Sequence, residues 1–160
     1  MIAGMDTFTF AHVVISAIGI ITGLAVLFGL LSNRRMDGWT LTFLVFTVAT
    51  SVTGFFFPFH GVTPAIILGV LSLIVLLPTV LARYQFNMRG PWRGAYVVGA
   101  VVALYFNCFV LVAQLFLKVP ALHVLAPKGS EPPFAIAQGL ILLFFVVTGF
   151  LSFRRFRPRP

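Results

Sequence analysis

The sequence predicts an all-α integral membrane protein: a compact bundle of about five transmembrane helices in one domain over residues 1–160, N-terminus outside and C-terminus inside. Three observations carry this. First, 60% of residues are hydrophobic and only 9% charged, against roughly a quarter charged in soluble domains, so the chain cannot clothe itself in a water-compatible surface. Second, five apolar runs each approach the ~20 residues that cross ~30 Å of hydrocarbon as a helix. Third, the basic residues alternate between the two sides implied by those runs. An open sheet would strand unpaired backbone groups in lipid, and the runs lack the alternation of barrel strands.

The first run extends from Phe8 to Leu31. It has no basic residues before it and is about twice a signal-peptide core in length, so it is expected to remain as an anchor. His12, Ser16, Gly19 and Gly23 fall on one face of it at spacings of three and four. Asn33 to Gly38 breaks the chain before the second run, Trp39 to Phe57, which carries Thr47, Ser51 and Gly54 on one face. A turn from Pro58 leads to the third run, Pro64 to Ala82. Pro78 within it removes a backbone hydrogen bond and is expected to bend the helix, with the hydroxyl of Ser72 or Thr79 near the bend. Asn87 to Gly94 precedes the fourth run, Ala95 to Leu117, where Asn107, Gln114 and Lys118 share a stripe with Ala103. A longer, proline-rich segment, Val119 to Pro133, leads to the fifth run, Phe134 to Phe153, in which Gln138 stands two turns inward from Glu131.

Orientation follows from charge. Arg34 and Arg35, then Arg83, Arg89 and Arg93, then Arg154, Arg155, Arg157 and Arg159 fall on one side, and only Lys118 and Lys128 on the other. Nine against two marks the first side as cytoplasmic, and the compact chain without organelle signals is expected in a cell inner membrane. Trp39 and Trp92 fall at that boundary as interfacial anchors. The net charge of +8 therefore reads as topology and lipid anchoring rather than nucleic-acid binding. Cys108 is the only cysteine, which excludes an internal disulfide and Cys-based metal motifs.

Chemistry concentrates at the outer side, where His12, His60 and His123 fall together with Asp6 and Glu131. Imidazoles and carboxylates are ligands for zinc or copper, so His12, His60, His123 and Glu131 form a candidate metal or haem set. No histidine pair stands at i, i+4 and no His-Glu-x-x-His motif is present. Buried amides and hydroxyls form the second set: His12, Ser16, Ser51, Asn107, Gln114 and Gln138. Gln114 and Gln138 fall at similar depth on successive helices and are expected to meet, leaving the outer half polar and the inner half plainly apolar.

Two readings of this polarity stay open: small residues and isolated amides that only pack helices together, or a pocket for a small or amphipathic ligand such as a quinone. No acid or base lies in the middle of a run, which disfavours a proton-coupled pump. Ser16 and His12 are one turn apart, but no nucleophile elbow surrounds them, and no catalytic residue is assigned. The functional expectation is a non-catalytic ligand binder or an accessory subunit of a larger membrane complex or homo-oligomer. Its alternative is a redox or metal-dependent enzyme with a His-based haem, copper or zinc site.

Overall fold

The computed structural model describes residues 6–58 and 61–158, and all regular structure among them is helical. Five long helices and one short one occur: α1 Thr7–Leu31, α2 Asp37–Gly54, α3 Pro64–Val80, α4 Pro91–Lys118, α5 Pro120–His123 and α6 Pro132–Arg155. Start signals are local. The Asp6 carboxylate caps α1 by accepting from the Thr9 N–H at 2.7 Å and the Thr9 hydroxyl at 3.0 Å. Thr63 caps α3 through the Ile66 N–H at 3.3 Å, and proline occupies the first turn of α3, α4, α5 and α6. α4 begins one turn before the apolar run, because Pro91 pre-sets the helical φ after Gly90 turns the chain at φ +54°. α5 lies inside the segment expected to be a loop, where Pro120 starts one turn after the extended Val119.

With its π-helical continuation to Gln85, α3 joins α1, α4 and α6 as the four helices long and apolar enough to cross a membrane. α2 is the exception, since its eighteen residues include Asp37, five threonines and Ser51. The outward faces are continuous hydrocarbon: Ile21, Phe28, Ile74, Leu77, Leu140 and Phe150 are all exposed. That surface is intolerable in water and ordinary in lipid, and it fits a multi-pass membrane protein.

α1 packs along α2 and against α4, while α4 also touches α3 and α6, so α1 and α4 form the spine. At Pro78 no N–H reaches the Ile74 carbonyl; one residue on, the Thr79 hydroxyl donates to Val75 O at 2.7 Å. The irregularity that follows is the π-helical turn Leu81–Gln85. Ser72, the other hydroxyl expected near the proline, has a buried Oγ with no partner.

The tightest packing lies toward the end that carries the arginines. Leu30, Phe43, Leu104, Tyr96, Val97 and Phe156 are all buried there. A Cβ on Gly23 would stand 2.9 Å from the Phe43 ring, and one on Gly99 would collide with the Thr79 hydroxyl. This half is not plainly apolar, in contrast to the sequence expectation. Arg83 is buried, bonded to the Asp37 carboxylate, donating to Arg35 O at 3.3 Å, and 5.2 Å from the Tyr96 ring centroid. The Tyr96 hydroxyl in turn meets Thr40 Oγ1 at 3.2 Å. Desolvating a guanidinium is tolerable only with partners of this kind, and the long side chain reaches them from the π-helical turn. The tail closes this end. Arg93 donates to Phe153 O and Phe156 O at 2.8 and 2.7 Å, and the Asn33 side chain accepts from Arg157 N at 2.8 Å.

Candidate functional site: a cavity opposite the basic end

Toward the other end α1, α2, α3 and α4 diverge around a cavity of about 860 Å³. Its walls are mainly apolar, from residues such as Val13, Ile20, Ile66, Phe106 and Val110, with a few polar groups set among them. This combination of volume and sparse polarity is that of a small-molecule site, for which ~300–1,000 Å³ is usual.

Five of the six expected pocket residues line it: His12, Ser16, Ser51, Asn107 and Gln114. Their helical spacings place them there, since each faces its neighbour helix from a stripe recurring at three or four residues. His12 Nδ1 lies 2.7 Å from Thr53 Oγ1, whose own hydroxyl donates to Ala49 O at 2.7 Å. Nδ1 is thereby paired with Thr53, and Nε2 has no hydrogen-bond partner among the described residues. The ring also packs edge-on to Phe57 at 5.0 Å between centroids. Ser16 donates to His12 O at 2.8 Å and Ser51 to Thr47 O at 3.0 Å, so both hydroxyl hydrogens are used within their helices and their lone pairs remain. Asn107 Nδ2 donates across to Thr47 Oγ1 at 3.3 Å, which leaves its carbonyl oxygen for another donor.

Gln138 is elsewhere. It is buried between α4 and α6, its Nε2 donating to Phe109 O at 3.0 Å, while Gln114 lines the cavity on another side of α4. The two glutamines do not meet, because similar depth fixes height in the bundle but not direction around it.

The described members of the candidate metal set are not gathered either. His12 lines the cavity and His123 ends α5, while Glu131 accepts from Lys128 N and Ser130 N, both at 3.0 Å. Desolvation pushes the Glu131 carboxyl upward, yet these backbone donors outweigh it and hold the group below its ordinary value. His60 lies outside the described residues, among which no group of three His, Cys, Asp or Glu side chains could hold an ion.

The polar lining residues Thr9, Thr50, Thr63, Ser72 and Lys118 were not marked as site residues from sequence. Ser72 is buried in the α3 wall with its unpartnered Oγ, and Lys118 ends α4 at the rim. Ser72 was legible in principle: Ala65, Gly69 and Ser72 recur at four and three along the third run and form one small-residue face. Comparison with known proteins finds no match to any family, curated protein or solved structure.

Proposed function

We propose that this chain is a five-span protein of a cell inner membrane, N-terminus outside, which binds one small amphipathic molecule in the outward-facing cavity, alone or as an accessory subunit of a larger membrane complex. The cavity carries the proposal: about 860 Å³ of mainly apolar wall with unspent hydrogen-bonding capacity at Asn107, Gln114 and the His12 ring. An apolar body fills the walls, and a polar group uses those atoms. Support for α2 as the fifth span is geometric. Asp37 at its start bonds Arg83 at the basic end, and Thr53 near its finish bonds His12 at the other, so its ~27 Å runs alongside α1 from Leu31 back to His12. The nine-to-two arginine and lysine split supports the orientation.

The test is native mass spectrometry of the full chain released from detergent after gentle purification. One amphiphile per chain is expected on the wild type and weaker retention on Val110→Trp, whose indole narrows the cavity from α4. Equal retention by both proteins places the amphiphile on the lipid-facing surface and counts against the proposal.

A further inference from the structure

The charge around the cavity specifies its ligand further, on the premise that the proposed binding reading holds. Among the described residues Lys118 is the only lysine, arginine, aspartate or glutamate in the lining. It stands on the last turn of α4, exposed, and no described carboxylate lies within ion-pair distance of it. The two described acids at this end are engaged locally. Asp6 accepts from the Thr9 N–H and hydroxyl, and Glu131 from Lys128 N and Ser130 N, so neither offers Lys118 a counter-charge. Gln114 lies one turn below Lys118 on the same face and brings an amide with both donor and acceptor capacity to the same rim. Below them the walls turn apolar, with Val110, Leu111, Phe106 and Ile20.

We infer that the cavity takes a single-chain amphiphile with an anionic head, a carboxylate or a phosphate ester, which pairs with Lys118 and Gln114 at the rim while its chain runs inward between α1, α3 and α4. An ammonium at the junction of headgroups and hydrocarbon favours an anion through a charge-assisted hydrogen bond, and a chain held below it is shielded from competing water. A cationic head would meet Lys118 with no acid to offset it, and a neutral head would gain only an ordinary hydrogen bond.

Native mass spectrometry of the purified full chain in dodecyl maltoside, titrated separately with palmitate, hexadecyl phosphate, 1-hexadecanol and hexadecyltrimethylammonium at equal detergent, tests this. Palmitate or hexadecyl phosphate should occupy the chain about tenfold more tightly than hexadecanol, the factor of one charge-assisted contact, and the ammonium should bind weakest. The stronger of the two anions identifies the head as carboxylate or phosphate. Lys118→Gln should bring the anions to parity with hexadecanol, and Lys118→Arg should keep the preference; as Lys118 is exposed at a helix end, both variants should fold. Hexadecanol or the ammonium matching the anions on the wild type, with Val110→Trp weakening all binding, overturns the anionic head and leaves the cavity reading intact. If no amphiphile binds saturably, or if Val110→Trp changes nothing, both fall.

Discussion

Replacing Asp37 by Asn removes the charge opposite Arg83, and the two partners sit in very different surroundings. The Arg83 side chain is 2% exposed, whereas that of Asp37 is 69% exposed. Breaking a fully buried ion pair from one side costs ~3–5 kcal/mol, because the remaining charge stays desolvated. Here the cost is lower, since Asp37 is solvated and Arg83 keeps Arg35 O, Met88 Sδ at 3.2 Å and the Tyr96 face. The expected loss for Asp37→Asn is about 2 kcal/mol. Arg83→Met leaves Asp37 in water beside Arg35, 3.4 Å away, and keeps most of the buried volume. Its expected cost is only about 1 kcal/mol, mainly the lost contact with the ring. The double variant should match Arg83→Met alone, a coupling of about 2 kcal/mol between two sites that would otherwise add. Unfolding in mixed micelles of rising dodecyl sulfate content, followed by far-ultraviolet circular dichroism, measures all three. Strict additivity, or Arg83→Met costing more than Asp37→Asn, would refute the picture of a desolvated guanidinium held by an exposed acid.

Other expectations follow from the same packing. Gly99→Ala should destabilise by about 1–2 kcal/mol in that assay, as overpacking against Thr79 exceeds the helical gain over glycine, and adding Thr79→Ala should recover part of the loss; a neutral single variant would mean α3 and α4 are not in close contact there. Alkaline phosphatase fused after Pro160 should be inactive and a fusion within residues 119–133 active; the reverse pattern would invert the topology. Glu131 titrates below its ordinary 4.5 in the folded chain, so its stabilisation is complete above that value and is lost as pH falls through the lowered folded one. Amide exchange at Ser130, Glu131, Phe134 and Ala135, corrected for intrinsic rates, should therefore be less protected at pH 3 than at pH 6, and Glu131→Gln should flatten that difference.

The helices were legible because their limits are chemical: Pro64, Pro91 and Pro132 open helices, and Asn33, Asn87 and Gly90 turn the chain with positive φ where the apolar runs end. Helical spacing also identified which faces of α1, α2 and α4 meet the cavity, which is why His12, Ser16, Ser51, Asn107 and Gln114 were found. Gln138 went astray because a sequence fixes its depth along α6 but not which neighbour that side of α6 meets; the carbonyl of Phe109 was within its reach, and Gln114 was not. Arg83 was missed for a different reason. Counted among the topology-setting arginines, it also turns inward from the π-helical segment, a backbone irregularity that no residue pattern in Leu81–Gln85 announces.

Small residues at both ends of the bundle could have meant close helix packing throughout, and the two ends separate the alternatives. At Gly23 and Gly99 the space a side chain would occupy is already taken, by Phe43 and Leu104 in one case and Thr79 in the other. Glycine there permits contact between helices, as the packing reading requires. At Gly54 an added Cβ would meet nothing nearer than His12 Cε1 at 3.9 Å, and Ala17, Ser51 and Ala65 border the same opening. Small residues that face one another without closing the gap leave volume, and in hydrocarbon that volume must be filled by something. An amide at Asn107 whose Nδ2 is spent on Thr47 keeps its oxygen for another donor, so the proposed occupant would meet a polar group as well as volume. The basic end, fixed by Arg83, Tyr96 and the buried Phe156, supplies the rigid base against which four helices can stay apart above.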